Sequence, residues 1–176
     1  TVGIYSTQSA IMRGITNGDS YTKIARTIKG EFNKGLSDAL RVVRTEAGRC
    51  WSEGAEDAHG QALEAGLVTK KRWSAALDKR TRPSHGALDG TFADEEGLFY
   101  LGGEGKPQPR MFSDPAESIN CRCAVYDVID DILPEVRRVR NDSGKGSQIL
   151  PYQDWNTWAA SKGWTPERGF PKVKLS

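Results

Sequence analysis

The sequence predicts an α+β fold, in which N-terminal helices pack on a small antiparallel sheet with long loops and an extended, aromatic-rich C-terminal tail follows. Apolar residues recur at helical spacing up to Gly66. Short β-branched and aromatic runs come after it, separated by segments rich in Gly, Pro and charge. The chain therefore divides into an N-terminal helical segment (1–36), an α+β core (37–134), and a basic linker with the tail (135–176).

Two helices are expected in the first part of the chain. The turn at 17–20 offers Asp19 or Ser20 as an N-cap. The apolar stripe that follows it consists of Tyr21, Ile24, Ala25, Ile28 and Phe32. Gly30 and Gly35 weaken or break this helix, and a longer one runs from Ser37 to a stop at Gly66. Its stripe is mostly small residues, so we expect another element to pack close against it.

The sheet and the tail follow from local composition. Strands are expected at 71–76, at 98–101 and at 124–129, with loops over 78–114. The basic and then Gly/Ser/Asn-rich stretch 137–147 is typical of a linker. The tail behind it carries Tyr152, Trp155, Trp158, Trp164 and Phe170. These aromatic residues must dock either on the domain itself, which we favour, or on a partner subunit.

Composition bounds the function. A chain of 176 residues with 37% hydrophobic and 27% charged residues suits one globular domain, and we expect no membrane association and no signal peptide. Three cysteines do not form a disulfide framework. The net charge of +2 does not by itself predict nucleic-acid binding. Two local clusters are nevertheless candidate DNA contacts: Lys70, Lys71 and Arg72, and Arg137, Arg138 and Arg140.

Two polar segments, 78–90 and 119–123, are expected to converge in a structural hub. Asp78 can accept charge-assisted bonds from Arg80 or Arg82, and His85 can donate to a carboxylate such as Asp89. The residues Arg44 and Glu46 on the long helix either tie that helix to the hub or form surface pairs. The predicted hub consists of Arg44, Glu46, Asp78, Arg82, His85, Asp89, Asn120, Cys121 and Cys123.

Two chemical alternatives use the same residues. In a hydrolytic site, His85 would serve as the base and Cys121 or Cys123 as the nucleophile, but no nucleophile-elbow motif accompanies them. In a metal site, these three residues are zinc-type ligands, with Asp78 or Asp89 as a fourth. The Cys-x-Cys spacing is a weak zinc signal compared with Cys-x-x-Cys. No glycine loop of the phosphate-binding type is present.

At these residues the chain resembles the phage Mu F-like (SPP1 gp7-like) family of head-morphogenesis proteins. Each motif is weak alone, but their order and spacing together are fairly specific, and the resemblance covers roughly residues 20–130. The matching motifs are Val43-Arg44-Thr45-Glu46, then Lys71 to His85, then Leu88-Asp89-Gly90, and finally Pro115 with Asn120-Cys121-Arg122-Cys123.

The resemblance implies a minor structural protein of the virion head that acts near the portal during assembly, in the host cytoplasm. Its implied partners are the phage portal and other head proteins, and double-stranded DNA as a further candidate. It implies no catalytic activity and no cofactor. The alternative is a phage-borne toxin or effector enzyme of the ADP-ribosyltransferase or nuclease type. Residues 132–176 are too few for such an added domain.

The resemblance also bears on the metal. Many relatives have Cys-x-x-Cys where this chain has Arg82-Pro83-Ser84-His85. A guanidinium at the place of a thiolate repels a divalent cation and suits an ion pair. We therefore expect a hub without metal, in which Asp78 pairs with Arg82.

Overall fold

The computed structural model describes residues 2–31, 35–141 and 146–169, and its fold is α+β as predicted. The helices are α1 (Val2–Thr16), α2 (Tyr21–Ile28), α3 (Leu36–Glu64), α4 (Pro83–Ala87), α5 (Pro115–Ser118) and α6 (Trp155–Ser161). The strands are β1 (Thr69–Ser74), β2 (Phe99–Leu101), β3 (Glu104–Lys106), β4 (Ala124–Ile129), β5 (Val136–Arg140) and β6 (Ser147–Pro151). In the described ranges no helix is long and apolar enough to cross a membrane.

The first three helices form a small core of their own. The Ser20 hydroxyl caps α2 by accepting from the backbone N–H of Lys23, as the sequence predicts for that residue. Ile24 and Ile28 are buried with Val43 of α3. The predicted stripe residue Phe32 lies outside the described residues. Helical spacing therefore identified Ile24, Ala25 and Ile28 of the packing face correctly, whereas Tyr21 of the predicted stripe is exposed.

Helix α3 ends where the sequence indicates. Gly66 adopts φ +85°, a left-handed conformation that terminates helices. A close neighbour packs on α3, but at Gly48 and Ser52, which lie outside the predicted stripe: a Cβ built on Gly48 would lie 2.7 Å from Cδ of Arg110. The hydroxyl of Ser52 donates to the carbonyl of Pro109 at 2.8 Å. The loop before α5 therefore packs directly on the backbone of α3.

The β structure consists of antiparallel pairs rather than one sheet. In the described residues, β1 pairs with β4, β2 with β3, and β5 with β6. Strand β1 begins at Thr69 and ends at Ser74, two residues earlier than predicted. Its Trp73 is fully buried and meets Phe99 and His85 edge-on, with ring centroids 5.2 and 5.8 Å away. Trp73 thus joins the paired strands to helix α4.

In the C-terminal part, the described residues 135–141 and 146–169 are folded, which corrects the prediction of a linker and an extended tail. The stretch at 136–140 is strand β5, and β6 returns beside it. Helix α6 packs on the main core through Trp155 and Trp158, both buried. A Cβ on Gly86 of α4 would lie 2.8 Å from Cζ3 of Trp155, so α4 and α6 are in close contact. The tail docks on its own domain, while Phe170 lies outside the described residues.

Candidate functional site

A cluster of two thiols and one imidazole lies under the surface between α4 and the loop before β4. Nδ1 of His85 is 3.4 Å from the sulfur of Cys121 and 3.4 Å from that of Cys123. All three residues are buried, and their ligating atoms lie within 4.8 Å of one another. On the other side of the ring, Nε2 of His85 is 2.7 Å from a carboxylate oxygen of Glu117. We call His85, Cys121 and Cys123 the thiol–imidazole cluster.

Two short proline-started helices orient the ring and its carboxylate. Pro83 opens α4, where a missing N–H costs nothing, and this helix carries His85. Pro115 opens α5, and Asp114 caps it by accepting from the N–H of Ala116. Glu117 on α5 then faces the imidazole. Sequence reasoning missed the contact of Glu117 with His85, which joins residues 32 positions apart, because no motif marks this glutamate.

A buried arginine holds the segment that carries the two cysteines. Nε of Arg110 donates to the carbonyl of Cys121 at 2.9 Å, and Nη2 donates to that of Cys123 at 2.7 Å. Nη1 donates to the Gly48 carbonyl at 3.1 Å and to the Ser52 hydroxyl at 3.0 Å. Arg110 therefore fixes the cysteine segment to α3. Sequence reasoning missed this residue, since nothing local distinguishes an arginine that becomes buried.

Hydrogen bonding inside the cluster separates the acidities of the two thiols. The bond from Cys123, together with the smaller effect of His85, lowers the pKa of Cys121 to about 4, although burial acts in the opposite direction. The pKa of Cys123 is raised, first because it donates that bond and then because it is buried. The arrangement thus favours negative charge on Cys121 beside the imidazole.

The predicted hub is in fact several separate polar groups. Asp78 forms a bidentate ion pair with Arg122, with Nη2 to Oδ1 at 2.9 Å, and not with Arg82. Arg82 instead donates to the carbonyl of Ile119 at 2.7 Å on the exposed side. Asp78 does not pair with Arg82 because Arg122 occupies its carboxylate. Arg122 is at the centre of the Cys-x-Cys segment and points outward between two inward-facing cysteines.

Asp89 lies in a second buried group, so His85 does not donate to it. Its carboxylate accepts from the N–H of Ala75 at 2.7 Å and of Trp155 at 2.6 Å. It also pairs with Arg137 at 2.5 and 2.7 Å. Burial acts against the charged form of Arg137, but the bond to Asp89 raises its pKa overall. This group joins the end of β1, strand β5 and helix α6.

The remaining hub residues lie at the edge of the cluster. Glu46 is half-exposed and lies 3.8 Å from Arg49, which fits the surface-pair alternative. Asn120 adopts φ +60°. Its N–H donates to the Thr45 hydroxyl at 3.0 Å, which positions the turn that precedes the cysteines. Arg44 is exposed and, among the described residues, forms no hydrogen bond or ion pair with the thiol–imidazole cluster.

Only part of each basic cluster expected to contact DNA is exposed in the structure. Lys71 is only 5% exposed and bonds both oxygens of Glu56 at 2.8 and 2.9 Å. Arg72 donates to the carbonyl of Gly90 at 2.8 Å, and Arg137 is buried as described. The exposed members are Lys70, Arg138 and Arg140. Lys70 pairs with Asp131, and Arg138 donates to the Ser147 hydroxyl. Strand alternation explains this, because every second residue turns inward.

A different basic surface lies beside the thiol–imidazole cluster. It is an open cavity of about 370 Å³ whose lining holds five guanidinium groups and, among the described residues, no carboxylate. We call it the arginine cavity; it is lined by Arg44, Arg80, Arg82, Asn120, Arg122 and Arg140. Burial lowers the pKa of Arg122, and the charges of Arg140 and Arg44 lower it further. The guanidinium groups therefore repel one another, and an anion bound among them would relieve the repulsion.

The comparisons with known proteins agree on one family. The family model described as "Phage Mu protein F like protein" matches residues 6–126. The minor head protein GP7 of Bacillus phage SPP1 is 36% identical over 150 residues, which cover 83% of this chain and 48% of GP7. No solved structure matches the chain significantly.

Two further relatives match the same chain. A protein of Enterococcus faecalis named NAD(+)–arginine ADP-ribosyltransferase EFV is 40% identical over 145 residues, which cover 82% of this chain but 30% of the relative. An uncharacterized protein of Haemophilus influenzae is 27% identical over 124 residues, which cover 70% of this chain and 25% of the relative. The chain thus spans less than half the length of each of these three relatives.

Proposed function

The chain belongs to the phage Mu protein F-like family, and on this premise we propose that it acts as a minor head protein of a phage or prophage. The observation that carries the proposal is the family match over residues 6–126, together with 36% identity to a minor head protein. In this role the chain enters the assembling head beside the portal, in the host cytoplasm, and remains in the virion.

The test is co-expression with the portal, scaffold and major capsid proteins of the source phage. We expect the chain to co-purify with procapsids, and to be lost from them when the portal protein is omitted. Procapsids that never contain the chain, together with heads that assemble and fill normally without it, would contradict the proposal. Incorporation without the portal would refute only the portal contact.

The arginine cavity supports a finer proposal, namely that the chain contacts the backbone of double-stranded DNA. Guanidinium groups bind phosphate oxygens in a bidentate manner. Of the five arginines, Arg122 is already paired with Asp78, and Arg44 is exposed at the rim. The contact surface is therefore this cavity rather than the two sequence clusters, although Arg140 belongs to both.

Salt dependence tests the DNA contact. The slope of log K against log salt concentration is negative, and its magnitude decreases by about 0.9 for each phosphate contact removed. We expect Arg44→Gln and Arg82→Gln each to flatten the slope by that amount. The matched control is Lys70→Gln, which removes an exposed cation of the sequence-predicted cluster and should leave the slope unchanged. A slope that changes only with Lys70→Gln, or no binding at low salt, would refute the cavity as the contact.

We also propose that this stretch has no enzymatic activity of its own. The match to the relative named as an ADP-ribosyltransferase covers only 30% of that relative's length. Two acidic residues that could serve such an activity, Glu46 on α3 beside Arg49 and Glu96 exposed on a turn, lie on separate elements. Cys121 and Cys123 are both buried. NAD-dependent modification of arginine by the purified chain, abolished by Glu46→Ala or Glu96→Ala, would overturn this proposal.

A further inference from the structure

The thiol–imidazole cluster has the spacing of a set of zinc ligands. Zinc lies about 2.3 Å from sulfur and about 2.0 Å from imidazole nitrogen, so tetrahedral geometry separates a sulfur from the nitrogen by about 3.5 Å. The observed separations are 3.4 Å from Nδ1 of His85 to Sγ of Cys121 and 3.4 Å to Sγ of Cys123. From this geometry we propose that His85, Cys121 and Cys123 bind one zinc ion, with water as the fourth ligand. The inference does not depend on the proposed function.

The Cys-x-Cys spacing, a weak signal in the sequence, is explained by the backbone around it. Alternate residues of an extended segment point to the same side. Cys121 and Cys123 are accordingly buried, and Arg122 between them is exposed. Arg110 bonds the carbonyls of both cysteines and so holds the segment in that conformation. Two sulfurs separated by one residue therefore face one point.

The outer contacts of the imidazole also suit a metal. The Glu117 carboxylate lies 2.7 Å from Nε2 and accepts a hydrogen bond, so the proton of the neutral imidazole is on Nε2. The lone pair of Nδ1 is then directed at the two sulfurs. A ligating histidine characteristically donates its second N–H to a carboxylate in this way. Two thiolates and Zn²⁺ sum to zero charge, which a buried position tolerates.

In the structure, the Arg82 guanidinium does not occupy the position of a metal ligand. The expectation of a hub without metal rested on that position, yet Arg82 donates to the Ile119 carbonyl on the exposed side. Beside the cluster is a small opening of about 10 Å³, lined by the three proposed ligands and by Thr81, Asn120 and the arginines Arg80, Arg82 and Arg122. This volume is about that of one water probe, so it can admit a fourth ligand from solvent.

Metal content and cobalt substitution test the site. The full chain, purified without chelators from zinc-supplemented cells, should contain one zinc per chain by mass spectrometry. After removal of the metal, Co²⁺ should produce the ultraviolet thiolate-to-metal bands and the visible bands of a tetrahedral site. Cys50→Ser is the matched control, because Cys50 lies on α3 outside the cluster, and it should keep both signals. Cys121→Ser and Cys123→Ser should each weaken the thiolate bands by half or more, and the double variant should lose them.

A second variant keeps the test decisive if the cysteine variants do not fold. Glu117→Gln leaves all three ligands in place and should weaken zinc affinity about 10–100-fold, measured by competition with a chromogenic chelator. Wild-type chain that holds no zinc and gains no thermal stability on zinc addition would overturn the proposal, and the cluster would then be a hydrogen-bonded network only. Cobalt binding without thiolate bands, or zinc lost in Cys50→Ser, would also overturn it.

Discussion

Replacement of Asp89 by alanine should cost the domain about 3–5 kcal/mol of unfolding free energy, the range for breaking a buried ion pair. The carboxylate of Asp89 is fully buried, and the side chain of its partner Arg137 is 9% exposed. The change leaves that guanidinium uncompensated. It also removes the acceptor of the N–H groups of Ala75 and Trp155. These losses overlap, so they should not be added on top of the ion-pair range.

Asp78→Ala provides the matched control, because it breaks a similar bidentate pair nearer to solvent. The side chain of its partner Arg122 is 33% exposed. After the change, water can solvate that guanidinium, and the cost should be about 1 kcal/mol. The smaller loss expected for Asp78→Ala follows from the exposure of Arg122. If the pair of Asp78 were fully buried, breaking it would lower the unfolding free energy as much as breaking the pair of Asp89.

Urea denaturation followed by tryptophan fluorescence measures both variants. Trp155 donates directly to Asp89, so the same signal reports on the detachment of α6. The midpoint should fall strongly for Asp89→Ala and slightly for Asp78→Ala, with unchanged slopes. This expectation would be refuted if Asp89→Ala lost less than about 1 kcal/mol of unfolding free energy, or if Asp78→Ala lost more than Asp89→Ala.

Two further predictions concern glycines. Gly48→Ala should destabilise by about 1–3 kcal/mol, because its Cβ would overlap Arg110. Gly54→Ala on the same helix meets nothing within 4 Å and should stabilise by about 0.5–1 kcal/mol; equal effects in urea titrations would disprove the close packing. Gly86→Ala would place a methyl group against the Trp155 ring, so it should loosen α6 and shift tryptophan emission to longer wavelength. Unchanged emission and stability would count against that contact.

The features that the sequence predicted correctly are local ones. Ser20 caps a helix through a bond to Lys23, three residues away, and Gly66 ends one through its own backbone angle. Strand β4 was predicted from β-branched content over six consecutive residues. In each case the deciding interactions lie within a few residues, so propensity and turn chemistry are sufficient.

The features that were missed depend on distant partners. Strand β5 was interpreted as a linker because it is basic, yet Arg137 and Val139 alternate inward, and Arg137 is tolerated there only because Asp89 neutralises it. The proximity of His85 to both cysteines was expected, but not its contact with Glu117. The role of Arg110 depends on the carbonyls of a loop and a helix, which no spacing in the sequence reveals.

The position of α6 has a consequence for how the protein is made. The family match ends at residue 126, but Trp155 and Trp158 fill the same core as Trp73. While the ribosome is still adding residues beyond 126, Asp89 has no guanidinium to neutralise it, and one side of Trp73's core stays open to water. The domain should therefore complete its folding late in translation, after the segment around Trp158 has left the exit tunnel. A cloned fragment cut at the family boundary would retain that same unfinished core permanently, as an exposed apolar surface prone to aggregation.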